Sequence, residues 1–187
     1  MPVKLKICGV TRPADLAACV ALGVDAIGIN LWSGSRRGLT LAQAVALVAG
    51  LPARGGPERV GVFVHPGLDE VLQAHAALAL DLVQIVGDEP EGLPPAWSRM
   101  WVVRGTPPLA TLELPAPTPA RVLLDAATPG FGGAGQTTDW TWARTAVQRL
   151  SRAAPVWLAG GITPENAAAA LAAVGPAGLD VASGSEL

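Results

Sequence analysis

The chain is 187 residues long, half of them apolar, with 13 basic and 15 acidic side chains and a formal net charge of −2. That length suits one domain, residues 1–187, with a substantial core, and the balanced, interspersed charge gives no reason to expect nucleic acid or a membrane surface as partner. No apolar run approaches the roughly 18 residues that cross a bilayer, the start lacks signal-peptide regions, and two cysteines without histidines at ligand spacing indicate neither a disulfide framework nor a metal site. A cytoplasmic protein is the expectation.

The stretch Lys4 to Thr11 reads as a strand with a functional tip. Val3, Leu5 and Ile7 alternate with Lys4, Lys6 and Cys8, the period of two that sends the two sets to opposite faces. Lys4 and Lys6 are the only lysines in the chain, and both lie on the face that ends in Cys8. Thr11-Arg12-Pro13 predicts a helix start, Thr as cap and Pro in the first turn, and the helix runs to Leu22 and closes at Gly23. Asp25–Leu31 follows as a strand, then the loop Trp32 to Gly38. Thr40 to Gln43 has the form of a capping box, and Leu41, Ala44, Val45 and Val48 make a helical stripe. Arg59–Val64 is a third strand, Leu68–Ala79 a helix, and Asp81–Val86 a fourth strand.

Prolines 90, 94 and 95 leave room only for a short or irregular helix before a fifth strand at Met100–Arg104. The proline-rich stretch Thr106–Pro119 holds at most one helical turn. Arg121–Asp125, a glycine-rich loop, a helix capped by Asp139, and the strand Val156–Ala159 come next. Gly160-Gly161 leads to Thr163-Pro164-Glu165, which reads as the start of a helix to Val174, and Gly178–Ala182 is an eighth strand. Strands alternating with helical segments predict parallel strands joined by crossovers. An open doubly wound sheet also alternates, but glycine-rich turns here cluster after the sixth, seventh and eighth strands. That pattern favours an α/β (β/α)8 TIM barrel, whose phosphate site often follows strands seven and eight. Ser183 to Leu187 is too short for the closing C-terminal helix. The seam between strands eight and one is therefore expected to be covered by further chain or a second molecule.

In such a barrel the strand ends bring to one mouth Cys8, Ser35-Arg36-Arg37, His65, Gln84, Asp125, the Gly132–Gly135 loop, Gly160-Gly161 and Ser183-Gly184. They supply a nucleophile or base, an acid, a guanidinium for a carboxylate and backbone amides for a phosphate. Of the arginine pair, Arg36 suits a solvated surface position and Arg37 a ligand. His65 reads as a turn residue before Pro66.

Seven motifs in order carry a resemblance across almost the whole chain. They are Lys6 to Thr11, Ser35-Arg-Arg37, Val60–Val64, Leu123-Leu-Asp125, Phe131–Gly135 with Asp139-Trp140, Leu158–Ile162 with Pro164-Glu-Asn166, and Asp180–Gly184. In these the sequence resembles the phosphoribosylanthranilate isomerase family of tryptophan biosynthesis. The resemblance implies an Amadori rearrangement without metal or cofactor, acting on a small phosphoribosyl substrate in a monomer or homodimer. It implies Cys8 as base, Asp125 as acid and Arg37 as clamp on the anthranilate carboxylate. Gly133, Gly135, Gly160, Gly161, Ser183 and Gly184 are implied as substrate-binding residues, the loops after strands seven and eight taking the phosphate.

The chemistry is consistent with those types. A thiol near a cation loses its proton closer to neutral pH, and Lys6 is a candidate cation; a carboxyl buried at an apolar barrel mouth keeps its proton longer. Lys6 faces the barrel interior in this reading, and Asp180 is its expected ion-pair partner. Two departures from the family's motifs stand out. Gln84-Ile-Val-Gly87 lacks the histidine usual at the position of Val86, and Thr138 replaces an aromatic residue. Two alternatives remain. One is a phosphosugar-binding barrel with little turnover; the other is the related isomerase of histidine biosynthesis, which would have an aspartate in place of Cys8.

Overall fold

A computed structural model describes residues 2–52, 55–127 and 137–185. Eight parallel strands stand in the closed order β1 to β8, a (β/α)8 barrel. They are β1 Lys4–Cys8, β2 Ala26–Asn30, β3 Glu58–Val64, β4 Leu82–Val86, β5 Arg99–Arg104, β6 Arg121–Asp125, β7 Val156–Leu158 and β8 Gly178–Val181. Five α-helices are described, α1 Pro13–Ala21, α2 Leu41–Val48, α3 Leu68–Leu78, α4 Trp140–Leu150 and α5 Ala167–Val174. Where the prolines limited the fifth connection to one helical turn, a 3-10 turn spans Leu109–Thr111. The chain divides into two compact units, Lys6–Ser98, and the residues up to Leu5 together with those from Arg99 on.

In the first unit, β1 to β4 pair in register, Cys8 with Gly28, Gly28 with Val60 and Val60 with Leu82. Ile27, Ile29, Val60 and Phe63 are buried on the strands, and Leu16, Val71 and Leu78 on the helices. Each such side chain contributes about 1.5–3 kcal/mol on leaving water. Lys6, on β1, is 0% exposed, so its charged end is fully withdrawn from solvent. In the second unit Met100, Leu123, Leu124 and Leu158 form the strand core, and Asp180 is 6% exposed.

Helix ends follow local chemistry, with two corrections to the sequence reading. The capping box of Thr40 and Gln43 is formed, and Asp139 caps α4 by accepting from the backbone N–H groups of Thr141 and Trp142. The cap of α1 is Arg12 rather than Thr11, because Pro13 occupies the first helical position and forces the residue before it into extended backbone. Arg12 instead grips Asp15 across the first turn, at 2.7 Å. The last helix begins at Ala167, one turn later than Thr163-Pro164-Glu165 predicted. Both Asn166 and Ala167 donate to the Thr163 carbonyl, which tightens the entry into a turn before the α-helix proper.

Candidate active site

In the unit Lys6–Ser98 the site is built on glycines that leave room for side chains. Cys8 ends β1 and stands opposite Gly28 in the ladder. A Cβ on Gly28 would lie 2.7 Å from the Cys8 sulfur and 3.0 Å from its Cα, so the thiol sits where a side chain would otherwise be. Gly9 then turns the chain out of the strand with φ +80, and its N–H donates to the Gly28 carbonyl at 2.8 Å. The aliphatic stem of Arg37 lies against the bare Gly9, its Cβ 3.1 Å and Cγ 3.3 Å from a Cβ built there. Cys8 and Arg37 are thus brought to the same strand end.

The loop carrying Arg37 is held from within. Leu39 N–H donates to the Asn30 carbonyl and Gly38 N–H to that of Ser35. Trp32 N–H donates to Asn30 Oδ1 and Arg37 N–H to Ser35 Oγ, at 3.0 and 3.1 Å. Arg36 is exposed and Arg37 half-buried. His65 has φ +43, a left-handed bend after β3, and its Nδ1 accepts from Asp88 N–H at 3.1 Å. Its ring covers the bare Cα of Gly87. Gln84 is buried within β4.

In the other unit the candidate site is one carboxyl side chain, Asp125, and backbone. Asp125 ends β6, half-buried, and its carbonyl accepts from Gly105 N–H at 2.8 Å. Gly160 has φ +84, and a Cβ there would meet Ala126 Cβ and N, both at 2.8 Å. The loop after β7 therefore lies against the residue following Asp125. Thr138 is buried and donates Oγ1 to the Ala159 carbonyl at 2.8 Å. Asn166 braces the same loop from the other side, its Nδ2 donating to the Gly161 carbonyl and its Oδ1 accepting from Thr163 N–H. A side-chain hydrogen bond from Thr163 holds the neighbouring Glu165 carboxyl below its ordinary value. A Cβ on Gly184 would lie 2.9 Å from the Ile162 carbonyl carbon and 3.0 Å from Thr163 Cα. Ser183-Gly184 and Gly160-Gly161 are thereby one cluster with the end of β6. Gly133 and Gly135 lie outside the described residues.

Sequence reasoning left the positional roles of four residues around this candidate site unread. Gly28 was readable only as a glycine inside a strand, which marks a close approach without saying to what. Gly9 lay within the stretch Lys4 to Thr11 with nothing to mark it as a seat for Arg37. Thr138 was noted as a departure, and Asn166 as part of a motif, without their bonds. Cys19, the second thiol, is buried in α1, and burial, with the Asp15 carboxylate nearby, pushes it up. Among the described residues no three His, Cys, Asp or Glu side chains form a group that could hold a metal ion.

A sequence profile described as PRAI, N-(5'phosphoribosyl)anthranilate (PRA) isomerase, matches residues 5–187. The N-(5'-phosphoribosyl)anthranilate isomerase of Myxococcus xanthus is 38% identical over 199 residues, which cover 100% of this chain and 88% of that one. The crystal structure of phosphoribosyl anthranilate isomerase from Thermus thermophilus is similar at TM-score 0.79 and 33% identity, over 98% of this chain and 89% of that one. A phosphoribosyl anthranilate isomerase in complex with reduced 1-(o-carboxyphenylamino)-1-deoxyribulose 5-phosphate is similar at TM-score 0.76 and 26% identity, over 99% and 89%.

Proposed function

Because this chain belongs to the N-(5'-phosphoribosyl)anthranilate isomerase family, we propose that Cys8 is the general base and Asp125 the general acid of its reaction. That reaction is the Amadori rearrangement of N-(5'-phosphoribosyl)anthranilate to 1-(2-carboxyphenylamino)-1-deoxyribulose 5-phosphate, a step of tryptophan biosynthesis. Asp125 protonates the ribose ring oxygen, the C1–O bond breaks, and the anthranilate nitrogen lone pair forms the iminium. Cys8 then removes the proton from C2, and the electron pair moves to give the enolamine. Protonation at C1 as the C2 hydroxyl proton is lost yields the ketone, so no atom is gained or lost. Arg37 holds the anthranilate carboxylate through its planar guanidinium. The backbone amides of Gly160, Gly161, Ser183 and Gly184 take the phosphate, and Gly133 and Gly135 belong to the same substrate-binding set.

The observation that supports the assignment is placement. Cys8 and Asp125 are each the last residue of a barrel strand, the end at which such barrels carry their chemistry. Cys8→Ser and Asp125→Asn are each expected to lower kcat by ~10²–10⁴ with little change in product-analogue binding. The measurement is loss of substrate fluorescence on mixing with freshly generated phosphoribosylanthranilate. Wild-type turnover in either variant removes that residue from the mechanism, and binding without any loss of signal by the unaltered protein would mark a barrel without turnover. A cytoplasmic location and a monomeric or homodimeric state belong to the same proposal; light scattering on the eluting protein decides the latter. No described helix is long and apolar enough to cross a membrane.

A further inference from the structure

We propose that Gly28 is a positioning residue for the reaction, its missing side chain being the seat that holds the Cys8 sulfur. The inference rests on the reading of Cys8 as base and adds what orients it. Gly28 lies inside β2, where glycine weakens a strand and is kept for a reason. Backbone conformation is not that reason, since Gly28 is absent from the glycines with positive φ. Space is. A Cβ there would stand 2.7 Å from the Cys8 sulfur, 3.0 Å from its Cα and 3.2 Å from its Cβ.

The other glycines of the described strands serve packing. The space of Gly61 is filled by Leu80 and Phe63, and that of Gly178 by the Trp157 ring. Gly28 alone of these three gives its space to a reactive group. An alanine methyl at 28 has two escapes. Cys8 can turn to another rotamer, or the end of β1 can back away from β2 by a few tenths of an ångström. Both carry the sulfur off its line to the substrate carbon. A base works only within hydrogen-bond reach of its proton, and a misplacement of about 1 Å costs ~10²-fold in rate.

Gly28→Ala tests this alongside Cys8→Ala and the double variant. In Gly28→Ala we expect kcat to fall ~10²-fold with KM within ~3-fold, the mark of a group acting in the transition state. The iodoacetamide alkylation rate of Cys8, followed by mass spectrometry with buried Cys19 as internal reference, is expected to change by at least ~3-fold. In the Cys8→Ala background, adding Gly28→Ala leaves the residual rate unchanged, since no sulfur remains to misplace. Wild-type kcat and alkylation in Gly28→Ala overturn the proposal, as does a further large fall in the double variant. If Gly28→Ala fails to fold, folding of the double variant supports the sulfur as what the methyl meets. Failure of the double variant overturns it in favour of the backbone contact. Wild-type turnover in Cys8→Ala would instead refute the base assignment, a separate outcome.

Discussion

The two units place the proposed site residues at their strand ends with largely different materials. From Lys6 to Ser98 the proposed groups are side chains, and glycines make room for them: Gly28 for the Cys8 sulfur, Gly9 for the Arg37 stem. From Arg99 on, Asp125 is the one proposed catalytic side chain, and the rest of the proposed surface is backbone that side chains hold: Thr138 pins the Ala159 carbonyl, and Asn166 ties Gly161 to Thr163. The difference matches the ligand chemistry proposed. A proton transfer and a planar carboxylate need one group at one angle, so the side chain must be seated. A phosphate needs several N–H groups at once, so the loop's shape must be fixed instead.

The contrast breaks most directly at Arg37. Arg37→Ala is expected to raise KM ~10–100-fold, the value of a lost charge-assisted hydrogen bond of about 1.5–3 kcal/mol. Inhibition by inorganic phosphate should be unmoved; if it weakens equally, the division between carboxylate and phosphate ends is wrong. Arg37→Lys restores little, because an ammonium cannot fork to both oxygens.

Gly160 gives the reciprocal test. Alanine there must adopt φ +84 and meet Ala126, a strain of order 1–3 kcal/mol. The expected result is KM raised ~10-fold and phosphate inhibition weakened in proportion, with inhibition by anthranilate-type carboxylates unchanged. Inhibition constants for the two ion classes, measured side by side, decide it.

Thr138→Val keeps the shape and removes the hydroxyl that reaches the Ala159 carbonyl. Leaving that carbonyl in a buried site without its donor costs about 1–3 kcal/mol, read from denaturant unfolding. The KM rise should be smaller than that of Gly160→Ala. A variant as stable as the parent would show that the bond does not brace the loop.

The smallest effect concerns a side chain away from the strand ends. His75 stacks on Trp97 with ring centroids 3.6 Å apart, and burial holds its pKa below the ordinary 6.5, with Asp81 opposing the shift. A lowered folded-state value means that the unfolded chain takes the proton first. Stability is therefore full above about 6.5 and falls as the pH drops through that value towards the folded-state one. His75→Phe should flatten this part of the unfolding-midpoint profile while leaving turnover at neutral pH intact. An unchanged slope would assign the pH dependence elsewhere.

Much of the architecture was legible because it is local. Alternation in Lys4–Cys8, the Thr40–Gln43 box, the Asp139 cap and the Gly23 stop each depend on residues within a turn of one another, and each appears where the pattern put it. The misplaced helix starts also have local causes. Pro13 moves the α1 cap to Arg12, and the bonds between Thr163 and Asn166 delay α5. Cys8, Arg37, Asp125 and the paired glycines could be named from motifs, since motif order survives in one dimension.

By itself, then, the sequence determined the strand and helix order and which residue types stand at the strand ends. Tertiary structure alone decided which glycine faces which side chain. Gly28 meets Cys8 through the β1–β2 register, Gly9 meets Arg37 across a long loop, and Gly160 meets Ala126 through the packing of loops after β6 and β7. A glycine carries no side chain from which a partner could be inferred. Its role is the volume it leaves empty, and only the folded neighbours show what fills it.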